Sequence, residues 1–386
     1  MLRISEFILN FVLNSFWQIA VIFAIAASAS WLLRNAPARY RHTLWVAALS
    51  VSLIAPLFPA NRWISNFRIA TPDTRPAIIA ALKNVAPVAS QSDKEEVAVD
   101  HVGSRRSQTI STSIRTASLL AFAYMLFIVW RAIRLIRFWR RKEKLSRTAT
   151  DIGLSEEVEA AAKRSRSLLG VDNVRITKSN QAHVPYTLGW RRPMIVLPEA
   201  FCAETNEGRL LSVTGHEMAH VARRDFLVNF ICELIALPIS FHPLTFLVKK
   251  QINRARELAC DELVTKRVLA PRVYARSLLW AADLTSHYSS QAFMLSIFDA
   301  HILEERIMRL TRNKKTVAPG IARVIMFAAL SILFVSVMSL SMFSLELQTQ
   351  ARAIESIQSL NIPAMQHPVA PDVATSQSPR ETQINA

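Results

Sequence analysis

Residues 7–33 contain no charged side chain. A run of this length crosses a hydrocarbon core of about 30 Å as a helix, the one form of a single segment that satisfies its own backbone there. It predicts a transmembrane helix over 7–33, longer than the short apolar core of a cleavable signal peptide. A second uncharged run, 43–60, follows Arg34, Arg39 and Arg41, so the two runs read as a transmembrane hairpin with a basic turn. The run 116–130 is short for a span by itself, but snorkelling by Arg131 and Arg134 extends it to a third helix over 116–136. The run 321–345 carries only Arg323 and gives a fourth over 319–346.

The net charge of +17, with 51% hydrophobic residues and 7 glycines, excludes disorder throughout and disfavours a glycine-rich nucleotide-binding fold. It fits either a nucleic-acid binder with a large core or a membrane protein whose charges flank its spans. Position decides between them. Arg131, Arg134, Arg137, Arg140, Arg141, Lys142, Lys144 and Arg147 directly follow the third run, which marks that side as cytoplasmic. The turn at 34–41 and the basic residues from Arg309 to Arg323 agree, so both termini are expected outside. This cluster reads as the flank of a span in contact with lipid rather than as a nucleic-acid patch, and no direct nucleic-acid partner is expected. Residues 61–115 read as a loosely ordered external loop and 347–386 as a disordered external tail. Cys202, Cys232 and Cys260 have no Cys-x-x-Cys spacing and read as reduced structural thiols.

Within the predicted cytoplasmic block, 137–318, lies His216-Glu217-Met218-Ala219-His220, on a helix expected over 207–224. Positions i and i+4 share a helix face, so both imidazoles can reach one metal ion with Glu217 beside it. A catalytic zinc takes three protein ligands and keeps one open position. The candidate third ligand is Glu257. Asp261 is one turn further on and suited to orient a ligand histidine, although this spacing is weak evidence taken alone.

Residues 226–248 are almost entirely apolar, yet a single crossing would put His220 and Glu257 on opposite sides of the membrane. Pro238 and Pro243 offer a break, and Glu233 and His242 are costly in lipid. A membrane-associated helical hairpin is expected instead. Upstream, 174–177 and 194–197 read as short strands joined through 184–189, a ribbon that either offers an edge to a peptide or simply covers the helix.

These residues resemble the membrane metallopeptidases of the BlaR/MecR type, metallopeptidase family 56, grouped with the gluzincins. The matching stretches are 184–198, 215–225 with Asn229, 242–244, 256–261 and 304–310. The resemblance implies a mainly α membrane protein of the bacterial cytoplasmic membrane, with four transmembrane helices and a cytoplasmic gluzincin-type protease domain of helices and a small β-sheet. It implies His216, His220 and Glu257 as ligands of one Zn2+ and Glu217 as the catalytic carboxylate. It further implies cleavage of a cytoplasmic repressor, or of the chain itself, in response to a signal. The beta-lactam receptors of this family carry a penicillin-binding sensor domain after the fourth span, where this sequence has residues 347–386, so the resemblance stops short of beta-lactam sensing.

The expected chemistry is zinc-assisted peptide hydrolysis, with Glu217 moving the proton and Asp261 supporting a ligand. Arg306 and Tyr186 are candidates for transition-state stabilisation beside structural roles. The competing class is a non-proteolytic signal transducer or scaffold that retains the zinc site.

Overall fold

The structure is a computed structural model that describes residues 2–57, 109–147, 154–189, 191–288, 293–312, 317–342 and 346–349. Most of the loop expected over 61–115, the end of the second run at 58–60 and the tail beyond residue 349 lie outside them.

The apolar runs form helices α1 (Leu2–Leu32), α2 (Ala38–Leu57), α3 (Ile114–Arg147) and, near the other end of the chain, α11 (Pro319–Met342). Among the described residues, three segments are long and apolar enough to cross a membrane: Ile4–Asn35, Arg115–Arg141 and Gly320–Leu340. The run at 43–60 does not join them. Its described part, 43–57, lies in α2, which starts among Arg39, Arg41 and His42 and ends at Leu57. Instead α2 is the buried centre of the bundle, with Leu44, Trp45, Ala48 and Leu49 packed among Ile19, Ile22 and Leu333. Helix α3 is the opposite case. It runs past the expected 136, carrying the basic cluster, and shows Leu119, Phe122, Leu126 and Ile133 to the outside. An apolar helix with so little protein around it is suited to a lipid surface.

Between α3 and α11 the chain builds a second core. Helix α4 (Glu156–Leu169) is followed by β2 (Arg175–Ser179), β3 (Tyr186–Leu188) and β4 (Met194–Pro198). The expected two-strand ribbon is corrected here. The joining segment supplies a third strand, β2 and β4 run parallel, and β3 lies antiparallel to β4 at the sheet edge. Val184, Tyr186, Thr187 and Leu188 favour strand geometry. Gly189, at φ 84°, then turns the chain where a Cβ would lie 2.6 Å from the Arg192 carbonyl oxygen. A short strand β1 (Thr109–Thr112), before α3, pairs in parallel with β5 (Glu346–Thr349), after α11. Parts of the expected loose loop and tail thus join in a short parallel ladder.

The sheet covers α5 (Glu199–Cys202) and α6 (Glu207–Ala222). Asn206 caps α6 by accepting from the Arg209 N–H at 3.1 Å. Then come α7 (Asp225–Ile239), α8 (Pro243–Arg267), α9 (Pro271–Tyr288) and α10 (Phe293–Thr311). Helices α7 and α8 form the expected hairpin. Pro243 opens α8, and His242 caps it by accepting from the Leu244 N–H at 3.2 Å. The charge of Glu233 is answered by Lys249 across the hairpin at 2.6 Å.

Helix α8 ties the two cores together. Val248 and Ile252 belong to the membrane bundle, whereas Cys260 and Val264 belong to the second core with Ile195, Met218 and Tyr274. Glu262, which leaves the Glu257 face, accepts from the Ala38 N–H at 2.9 Å and so caps α2. Ile195 is fully enclosed in the second core. Ile195→Ala is expected to cost about 2–5 kcal/mol through the cavity it leaves, read as a lower unfolding midpoint of the detergent-solubilised chain.

Candidate metal centre

Helix α6 presents His216 and His220 on one face, and α8, turned back by the hairpin, brings Glu257 to them. The two Nε2 atoms are 3.2 Å apart, and Glu257 Oε2 lies 3.3 Å from His216 Nε2. Glu257 Oε1 lies 3.9 Å from His220 Nε2. Ligand atoms about 2 Å from a tetrahedral zinc stand about 3.3 Å from one another. Two imidazole nitrogens this close need a proton or a cation between them. Two imidazoles and a carboxylate form a donor set suited to zinc.

The second nitrogens of both rings are engaged elsewhere. Nδ1 of His220 donates to Asp225 Oδ2 at 2.9 Å. Asp225 is positioned by a corner in the chain, where Arg224 adopts a left-handed conformation (φ 55°) and starts α7 back toward α6. The same oxygen accepts from Arg223 at 3.1 Å and from the Cys260 thiol at 3.2 Å. Nδ1 of His216 meets the Tyr274 hydroxyl at 2.9 Å, and that hydroxyl donates to Asp261 Oδ1 at 2.7 Å. Asp261 Oδ1 itself is 3.6 Å from His216 Nδ1, beyond hydrogen-bond reach, so it meets that histidine through the Tyr274 hydroxyl. Arg306 holds both oxygens of Asp261, at 2.8 and 2.7 Å, while it lines the cavity with its Nη1 3.8 Å from Glu257 Oε2.

His220, Asp225 and Cys260 also group closely enough to hold an ion. Burial pushes the Cys260 thiol up to about 11, and its Sγ donates to Asp225 Oδ2 at 3.2 Å. Burial opposes ionisation of Glu257, but the hydrogen bond and charges of His216 and His220 outweigh it and hold that carboxyl well below its usual range. Burial likewise opposes the His220 imidazolium, yet Cys260, Asp225 and Glu257 raise it well above the ordinary histidine value.

Glu217 is buried beside the pair, with its Oε2 accepting from Thr187 Oγ1 of β3 at 2.7 Å. Arg256 reaches Glu257 Oε1 at 3.2 Å and the side-chain oxygen of Asn229 at 3.4 Å. A cavity of about 430 Å³ opens over these groups. Tyr186 lines it, with its hydroxyl buried and lacking a hydrogen-bond partner among the described residues. Trp139 of α3 and Phe226 of α7 form an apolar wall, ring centroids 5.0 Å apart.

Six of the seven residues singled out from the sequence line this cavity, and Asp261 lies buried behind them, bonded to Tyr274 and Arg306. Asp225 and Tyr274 were missed. Asp225 sits inside the stretch 215–225 that carries the family resemblance, so a local signal existed for it. Tyr274 comes from another helix and had none. Cys260, expected as a small buried hydrophobe, is fully enclosed and adds a weak donor.

A family model described as BlaR1 peptidase M56 matches residues 7–310. The chain is 21% identical over 334 residues to the methicillin resistance mecR1 protein of Staphylococcus aureus, covering 82% of this chain and 54% of that protein. It is 27% identical over 109 residues to the regulatory protein BlaR1 of Staphylococcus aureus, 28% of this chain and 19% of that protein. To the regulatory protein BlaR1 of Bacillus licheniformis it is 32% identical over 96 residues, 24% of this chain and 15% of that protein. The chain spans about half the length of the mecR1 protein it matches. With most of its length matched, from the first span through the cavity-lining helices, the chain belongs to the BlaR1 peptidase M56 family.

Proposed function

We propose that the protein is an integral-membrane zinc metalloendopeptidase that cuts a protein segment at the cytoplasmic face of a bacterial inner membrane. The observation that carries this reading is the facing pair of imidazole nitrogens at 3.2 Å with Glu257 against them and Glu217 alongside. His216, His220 and Glu257 would hold the ion. When bound, zinc supplies Lewis acidity, lowering the pKa of water and polarising a carbonyl.

The chain's own groups account for the proton. Glu217 takes it from the attacking water and passes it to the departing amine as the C–O bond forms and the C–N bond breaks. Thr187 holds one oxygen of Glu217 and leaves the other to accept. With β3 at the sheet edge, a substrate segment added alongside it would run beside Glu217. Tyr186 and Arg306, which both line the cavity, are the candidate donors to the carbonyl oxygen.

In this reading α2 crosses the bilayer with the three apolar helices as the fourth span, and both termini lie outside. The substrate is a transcriptional repressor or a second copy of this chain. The direct test incubates detergent-solubilised full-length chain with cytoplasmic repressors, with and without chelator. Fragments that vanish with chelator are expected; an intact substrate in both arms removes the proteolytic reading in favour of a signal transducer with a retained metal site.

Zinc must displace the proton that the raised pKa of His220 retains. Zinc affinity is therefore expected to climb as pH rises through and above the ordinary imidazole range, and to fall on acidification. Equilibrium dialysis across that range reads it directly, and a flat profile contradicts the prediction.

A further inference from the structure

Tyr274 is fully buried on α9, a helix that supplies no ligand, and its hydroxyl stands between His216 and Asp261. We infer that Tyr274 is a positioning residue for the metal centre: its hydroxyl relays the Arg306–Asp261 pair to His216 and so selects the His216 nitrogen offered to the ion. This rests on the proposed zinc site and deepens it.

Counting hydrogens gives the direction. Asp261 is gripped on both oxygens by Arg306, and a carboxylate so paired only accepts. The single phenolic hydrogen of Tyr274 therefore goes to Asp261 Oδ1 at 2.7 Å. The oxygen lone pair is then left to accept from Nδ1–H of His216 at 2.9 Å. An imidazole protonated on Nδ1 carries its lone pair on Nε2, the atom that faces His220 and Glu257.

Asp261 cannot replace the hydroxyl from where it stands, since 3.6 Å separates it from Nδ1. His220 is treated differently, because Asp225 touches its Nδ1 without an intermediary. The two histidines of one helix are thus oriented from separate elements. His220 depends on the start of α7, and His216 depends on α8, α9 and α10 acting through one phenol.

The test is the zinc dissociation constant of the detergent-solubilised full chain, measured by competition with a chromophoric chelator. Tyr274→Phe keeps the ring that packs in the second core and deletes only the relay. It is expected to weaken zinc binding about 10- to 100-fold, the range found for groups that orient metal-bound histidines. Asp261→Asn probes the acceptor end without altering that ring, and it keeps the test available if Tyr274→Phe does not fold.

In a relay the two losses are not independent, so the double variant is expected to bind zinc no more weakly than the weaker single one. The cobalt(II)-substituted Tyr274→Phe chain should also show a shifted ligand-field absorption, which a purely packing role would leave in place. Unchanged zinc affinity in Tyr274→Phe overturns the relay, as do losses that multiply in the double variant. Because the readout is affinity rather than turnover, a wild-type chain that binds zinc and cleaves nothing removes the proposed proteolysis while this comparison still decides the relay.

Discussion

Glu217→Gln is expected to lower peptide cleavage by about 10²- to 10⁴-fold while the chain still takes up one zinc ion. The substitution is nearly isosteric, and Glu217 is not among the three groups that converge on the ion. The amide oxygen can still accept the Thr187 hydroxyl bond seen at 2.7 Å, so the local packing is kept. What is lost is a group able to take a proton from water and return it to the leaving amine. Zinc content by atomic absorption and fragment yield on the same sample separate the two properties. Retained turnover removes Glu217 from the proposed chemistry, whereas loss of zinc together with turnover reassigns it to metal binding.

The second large effect is expected at Glu257. Glu257→Ala should take the chain from one zinc ion to none under conditions that saturate the wild type, and abolish cleavage with it. Glu257 is the only carboxylate of the three groups, and it also offsets Arg256 at 3.2 Å. Its removal leaves that guanidinium and the two histidines gathered without the negative charge that now balances them. Breaking a largely buried ion pair by deleting one partner costs about 3–5 kcal/mol. Glu257 is not fully enclosed, so the lower end is expected in the metal-free chain. Comparing unfolding midpoints with and without added zinc checks both effects: the wild type should be stabilised by zinc and Glu257→Ala should not. A variant still stabilised by zinc would place the third ligand elsewhere.

Much of this site was legible because helical periodicity is local. His216 and His220 share a face at i and i+4 whatever surrounds α6, and Glu257 with Asp261 repeats that spacing on α8. The return of the chain between them was legible too, through a negative argument: one crossing by residues 226–248 would have parted residues that the pattern wanted together. The turn at Ser240–His242 between α7 and α8 is the physical form of that constraint.

Other features were not open to this kind of reading. The strand at 186–188 was taken for a connection, because three residues carry almost no alternation and pair only once β4 is beside them. The run at 43–60 has the composition of a span, and its described part, 43–57 within α2, packs against helices from both ends of the chain. Burial in protein and burial in lipid call for the same apolar residues, so composition does not separate them. That Asp261 meets His216 across 3.6 Å through Tyr274 depends on how α9 packs on α6.

By itself the sequence determined the apolar helices and the paired histidines with their glutamate. Each follows from neighbours within a few turns of one another. Only the tertiary structure decided which groups hold the second nitrogens of the histidines, that Arg306 pairs with Asp261, and that Trp139 of an apolar helix walls the cavity. Those contacts join residues far apart in the chain, and hydrogen bonds that act only below about 3.2 Å are set by where whole helices cross rather than by any local pattern.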